Sequence, residues 1–447
     1  MRRHSSLWLF LIGLGYHTQF RFVGSIGISE LPVFLLAPFM FVKDYKLLKR
    51  DGFMTIIGLA ILCCIGCCVS SYCNSTPYIF FIKGLAHPYS IFAATVVLHR
   101  LLRDNFSGFK WLLLGLFLSS IICVFVFQPE THTTKGGQTA TGEVAVEAML
   151  SYALFWSHKV KAVLTLPVQA LYLSVPYVYS CVAIMASVVT YIFFSGSSGR
   201  SAATATFISF ILVALGGKSR KRIELLGKRL WLLIFAMLAA LVLMKSAYSF
   251  LAKSGYLGES AQNKYYFQTR TGTDILHMLM AGRMELFCGV IACLDHPILG
   301  FGPKGEDTEG YVANYLRKYA AENDYLNYIR SQQEALRQGK FIYNTIPAHS
   351  YIAEFWIYYG IAGLIVWIYV LWLFYCSFRK GWCSAVPQWY GFICLSMGIR
   401  LWDIFFSPFA TRLETPLLLT CILFARQIKL KRMELPLKME LEARKYE

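Results

Sequence analysis

Runs of apolar residues, each about as long as a lipid bilayer is thick, constrain this chain more than any other feature. Gly52–Ser70, Trp111–Phe127, Trp231–Met244 and Ile357–Phe374 approach or reach the roughly 20 residues a helix needs to cross a hydrocarbon core. Hydrophobic residues make up 56% of the 447 positions and charged residues 15%, against about 25% charged in ordinary soluble domains. No single water-soluble core can hide that much apolar surface, whereas lipid can. The first run follows Met-Arg-Arg-His and lacks a small-residue cleavage site. It therefore reads as a retained first helix rather than a removed signal peptide.

Charge placement then suggests a path. The polar segment 249–349 carries equal numbers of basic and acidic residues, so the net charge of +18 lies entirely outside it. The surplus sits in short connections: Arg2-Arg3, Lys43–Arg50, His99–Lys110, His158–Lys161, Lys218–Arg229, Arg379-Lys380 and the tail from Arg426. The positive-inside rule puts such connections in the cytoplasm. The expected fold is all-α, a polytopic membrane bundle of about 12 spans with one large, partly helical extracytoplasmic loop. The spans fall near 5–20, 26–42, 53–71, 78–98, 110–127, 143–157, 168–194, 201–216, 229–248, 350–376, 386–405 and 411–426. Segment 143–194 also admits a re-entrant or surface helix. The organisation is then 1–248 for helices 1–9, 249–349 for the outer loop, 350–426 for helices 10–12 and 427–447 for a cytoplasmic tail. Both termini are expected inside. The alternation of charge with Leu and Met in the tail suits a solvated or interfacial helix.

Cys63, Cys64, Cys67 and Cys68 form a paired repeat inside one apolar run, with no histidine or carboxylate among them. They read as small packing residues, not metal ligands, and no metal or other cofactor is expected.

Charged groups near or within spans are expensive in hydrocarbon and usually face a cavity. Lys83 and His87 lie one turn apart on the fourth run, which puts them on one helical face. Lys83 would either snorkel to the interface or stand in a polar cavity at the outer side. Arg200, within Ser197-Ser198-Gly199-Arg200-Ser201-Ala202, sits at a span boundary where a helix start and a planar cation suit an anion. In the outer segment, Gly282-Arg283 precedes an apolar-periodic helix expected to stop before Pro297. The run Asp295-His296-Pro297-Ile298-Leu299-Gly300-Phe301-Gly302 then reads as a tight loop. His349, in Ala348-His349-Ser350, stands at the mouth of the tenth run. An imidazole there could accept a proton near neutral pH.

These pieces together resemble the signature region of the O-antigen ligase/polymerase family: a Gly-Arg, an HPLLGVG-like loop, then a His-Asn and a GIxGL-like turn. Here they stand as Gly282-Arg283, His296–Gly302, His349-Ser350 and Gly360-Ile361-Ala362-Gly363-Leu364. Ser197–Ala202 is similar to the family's SGSRSA-like motif, with Arg200 in register. Two positions depart from the pattern: Ser350 replaces the usual Asn, and Tyr358 stands where an acidic residue is common. The resemblance covers about residues 195–365.

It implies a metal-independent, inverting glycosyltransferase of the inner membrane that takes a glycan from undecaprenyl diphosphate on the periplasmic face. His349 would be the acceptor's base. Arg283 would be catalytic and bind the diphosphate together with Arg200, and Lys83 could assist them. The acceptor would be a glycolipid such as lipid A-core for a ligase, another lipid-linked repeat for a polymerase, or a protein. No nucleic-acid partner is implied, and membrane lipid is. From another class, a polysaccharide transporter or flippase would favour spans broken at matching positions in two halves.

Overall fold

The structure is a computed structural model that describes residues 2–16, 19–21, 25–125, 207, 209, 235, 242, 246–256, 262, 263, 265, 266, 269, 284–319, 345–347, 349–407, 409 and 413–443. The described fold is helical apart from one small ladder. In chain order come α1 (Arg2–Leu14), strands β1 (Gln19–Arg21) and β2 (Ser25–Gly27), α2 (Glu30–Arg50), α3 (Met54–Cys73), α4 (Tyr78–Arg103) and α5 (Phe109–Phe125). Then follow α6 (Met284–Asp295), α7 (Tyr311–Tyr319), α8 (Tyr351–Tyr359), α9 (Ile361–Arg379), α10 (Pro387–Phe406) and α11 (Glu414–Ala443). The strands pair antiparallel with Gln19 opposite Gly27.

Three of these helices, Met54–Cys73, Tyr78–Arg103 and Ile361–Arg379, are long and apolar enough to cross a membrane. Their neighbours explain which faces stay outward. On α2, Leu31, Leu35, Phe39 and Val42 are exposed, and on α3 Ile61, Ile65, Val69 and Tyr72. On α9 the exposed set is Ile361, Ile365, Ile368 and Trp372. Each set repeats at three or four residues, so it forms one apolar stripe per helix. Stripes of this kind on adjoining helices suit hydrocarbon better than water.

Other boundaries differ from the hydropathy reading, with identifiable causes. The expected first span, 5–20, ends as helix at Leu14, between Gly13 and Gly15, residues of poor helix propensity. The two-stranded ladder follows it. The expected tenth span, 350–376, is two helices joined at Gly360. Gly360 has φ 60° and ψ −146°, a region of backbone space that is essentially glycine's alone. The last helix continues past the expected 411–426 and runs to Ala443. Most of the four expected spans between 143 and 248, and about half of the outer segment, lie outside the described residues.

The helix ends sort into two groups. At one end the α2–α3 turn, the C-terminal end of α4, the end of α9 and the middle of α11 meet. Asp51 joins His99 and Arg103 of α4 and Gln427 of α11. Lys429 donates to the carbonyl of Lys380, and Asn105 donates to Ser6 of α1 at 2.8 Å. The basic connections 43–50, 99–110 and 379–380 and the start of the basic tail are therefore neighbours. At the opposite end, Asn74 donates to the Gly300 carbonyl at 3.3 Å and Tyr359 to the Gly84 carbonyl at 2.7 Å. The core between the ends is aromatic: Tyr351, Phe355, Trp367 and Phe409 pack with centroids 5.0–6.0 Å apart.

Candidate functional site

The second group of helix ends holds the residues the sequence singled out. Helix α6 stops at Asp295, ahead of Pro297 as expected, and the chain turns through His296–Gly305. This loop is hydrogen-bonded to the break between α8 and α9. The amide of Phe301 donates to the Ile357 carbonyl at 2.8 Å, and the amide of Ile361 to the Ile298 carbonyl at 3.0 Å. Trp356 Nε1 adds a bond to the Pro297 carbonyl at 2.9 Å. These bonds satisfy carbonyls and amides that a broken helix would otherwise leave without partners. A Cβ on Gly360 would lie 1.9 Å from the Ile298 oxygen, so the approach needs a glycine.

The loop continues against α3 and α4. Pro303 is wedged on Gly84, where a Cβ would meet the proline ring at 2.1 Å. Beyond it, the Ile346 amide donates to the Gly305 carbonyl at 3.0 Å, and Glu306 bridges Thr345. One continuous backbone network thus runs from the glycine loop to the strand-like segment that delivers His349. Ser350 next caps α8: its Oγ accepts from the Ala353 amide at 3.3 Å and donates to the Ile404 carbonyl at 2.7 Å. A cap of this kind contributes about 1 kcal/mol. Ser350 is thereby explained as a cap.

His349 itself is exposed at the start of α8. Lys83 is exposed on α4, with its ammonium 6.0 Å from the centroid of Phe80. His87, one turn on, is half-buried and turned inward: its Nδ1 lies 3.7 Å from Glu354 Oε1. Glu354 is buried and accepts a 2.8 Å bond from the Phe409 amide. Tyr358 lies one turn further along α8 and stacks on His87 at 6.4 Å. Arg200 and Arg283 lie outside the described residues; of the rest, the glycine loop touches α4 at Gly84, next to Lys83, and bonds Ile346, three residues before His349.

Further polar groups at this end were not singled out by sequence. Arg400, buried in α10, bonds Tyr351 at 2.8 Å and Asp403 at 2.8 Å and pairs with Glu414. These contacts lock α8, α10 and α11 together. An arginine inside the apolar run 386–405 was itself a readable signal, since a charge within a span needs partners. On the outer surface of the loop, His296 Nε2 lies 2.8 Å from Glu309, and the Tyr311 hydroxyl donates to the same carboxylate at 2.6 Å. Hydrogen bonds from Tyr311 and then His296 hold the Glu309 carboxyl below its ordinary range. Burial, reinforced by Glu309 and Asp295, pushes the Tyr311 phenol up. Asp307 caps α7 through the amides of Tyr311 and Val312 at 2.7 and 3.0 Å.

The described residues form a helical protein with three helices long and apolar enough to cross a membrane, and with Lys83, Lys304 and His349 exposed. No protein-family model and no curated protein matches the chain. The functional reading therefore rests on residues and geometry.

Proposed function

We propose that this chain is a membrane glycosyltransferase of the O-antigen ligase type, moving a glycan from a polyprenyl diphosphate to an acceptor hydroxyl. The observation that carries the reading is the joining of two motif segments far apart in sequence. The loop His296–Gly302 is hydrogen-bonded to Ile357 and Ile361 across a junction that only glycine can make. The same backbone network ends beside His349. Motif residues that merely recurred by chance in an apolar chain would have no reason to pack on one another.

In this reading the oxygen of an acceptor hydroxyl attacks the anomeric carbon, with inversion, as the bond from that carbon to the diphosphate oxygen breaks. The hydroxyl proton passes to His349, and the electron pair of the broken bond leaves with the diphosphate. Arg200 and Arg283 would stabilise that departing charge through bidentate contacts, with Lys83 at the edge of the site. The prenyl tail stays in the bilayer while its head reaches the helix ends. The clustering of basic connections at the opposite end supports placing that end, and both termini, in the cytoplasm. The His349 end then faces the periplasm from the inner membrane, and the full path would count about 12 spans. Lipid A-core is the favoured acceptor, because one compact outer segment suits a finished glycan. Transfer to a second lipid-linked repeat would make the chain a polymerase.

The test is transfer by the purified protein in lipid discs, using radiolabelled polyprenyl-diphosphate glycan with lipid A-core or unlabelled lipid-linked glycan as acceptor. His349→Ala should remain folded and lose about 10²–10⁴-fold in rate. Full activity of that variant would end the assignment of the base. Label that crosses a bilayer with its glycosidic bond intact would identify a transporter instead.

A further inference from the structure

One residue of the glycine loop is held in a way that packing alone does not explain. Lys304 has φ 59°, one of two positive values among the described residues that are not glycine. A side chain there costs free energy that glycine would avoid, and glycines flank this loop at 300, 302 and 305. The position is nonetheless a lysine, and the lysine is exposed. Among the described residues it makes no ion pair within 4 Å.

Its backbone is fixed from both sides. Pro303 is wedged against Gly84 of α4, and Gly305 accepts from the Ile346 amide. The Gly84–Pro303 contact sets the backbone of Lys304 beside that of Lys83. The bond to Ile346 sets it beside the segment that carries His349. The buried Glu354 lies 3.7 Å from the half-buried His87, which stands one turn along α4 from Lys83. Two exposed lysines on adjoining backbones favour an anion.

We infer that Lys304 is an anion-binding residue of this site, contacting the diphosphate head of a prenyl-linked donor together with Lys83. The inference rests on the reading of the chain as a transferase using such donors, and it adds a binding residue that motif resemblance does not supply. Holding the lysine in a left-handed turn aims its ammonium from a fixed backbone, which limits the conformational freedom lost on binding.

The experiment measures binding without catalysis, on the full chain in lipid discs, with polyprenyl diphosphate, polyprenol and inorganic diphosphate as separate probes. Wild type should bind the prenyl diphosphate well, and the alcohol and the inorganic anion poorly. Lys304→Gly should weaken prenyl-diphosphate binding about tenfold, as expected for one charge-assisted contact, while polyprenol binding stays unchanged. Its melting temperature should hold or rise, because glycine relieves the turn. Lys304→Arg should bind close to wild type. Equal binding by wild type and Lys304→Gly overturns the inference alone. Failure of wild type to prefer the prenyl diphosphate over the alcohol overturns the proposed function with it. Equal affinity for inorganic and prenyl diphosphate would make this a free-anion site and refute the lipid-linked assignment.

Discussion

The Asp51 end and the His349 end of the bundle are both crowded with ionisable groups, but the groups are arranged differently. At the first, a single carboxylate, 2% exposed, draws in His99 at 2.9 Å, Arg103 at 3.0 Å, Arg50 at 3.3 Å and Gln427 at 2.6 Å. His99 is also stacked on Phe424 with centroids 5.5 Å apart. Charges there answer one another, and the product is cohesion between α2, α3, α4 and α11. At the second end Arg400 ties α8, α10 and α11 with Asp403 and Glu414, but the glycine loop is held by backbone: glycine contacts, helix caps and amide–carbonyl bonds. The exposed Lys83, Lys304 and His349 are left facing outward. Charges that satisfy each other hold a fold together, while charges held on a rigid backbone and turned outward are available to a ligand.

The comparison breaks first if the outer junction tolerates a side chain. Gly360→Ala must accept both a glycine-only backbone region and a Cβ 1.9 Å from the Ile298 oxygen. The expected loss is about 3–5 kcal/mol of stability, read by thermal or denaturant unfolding in discs, with transfer abolished. A variant within about 1 kcal/mol of wild type, the size of an ordinary substitution, would mean the loop does not depend on that contact. The next largest effect belongs to the opposite end. Asp51→Ala leaves His99 and Arg103 without their shared carboxylate and should cost about 2–3 kcal/mol, at the low side for a broken buried pair because Arg103 is partly exposed. Donor binding should be unchanged, since the substitution lies at the far end. A changed donor affinity would show that the two ends are coupled.

The same carboxylate gives a pH signature that sharpens the contrast. Burial opposes the charge on Asp51, but hydrogen bonds from His99, Gln427 and Arg50 outweigh it and lower the carboxyl from its ordinary 3.8. A group lowered on folding adds stability above its unfolded value and loses it as pH falls through the folded one. The stability gap between wild type and Asp51→Asn should therefore narrow as pH falls below about 4. A gap that instead widens there would reverse the sign and remove Asp51 as the organising anion.

Side-chain hydropathy made much of this architecture readable. The expected 53–71 and 386–405 coincide with the helices Met54–Cys73 and Pro387–Phe406, and the first of these is long and apolar enough to cross a membrane. The break at Gly360 was invisible to that reading, since hydropathy sees side chains and the break is a backbone event. The turn at His296–Gly302 and the place of His349 before α8 were readable from glycines, prolines and spacing. Glu354 and Arg400 stood in plain view inside apolar runs, yet their partners come from other helices. Only packing reveals that Phe409 bonds one and that Tyr351, Asp403 and Glu414 surround the other. Lys304 carried no sequence signal, because a left-handed φ at a lysine runs against the residue's own preference.

The smallest effect tests whether the glycine loop is held by charge. His296 and Glu309 form a pair at 2.8 Å, but both side chains are 48% exposed, and exposed pairs contribute about 0–1 kcal/mol. His296→Ala should therefore leave unfolding within about that range of wild type. Glu309 should move only part of the way back up in a carbon-detected titration, because Tyr311, the larger influence, still donates to it. A loss comparable to that of Asp51→Ala would put an ionic clasp on the glycine loop. The two ends would then be built alike, and outward-facing charge could no longer be taken as the mark of the ligand-binding end.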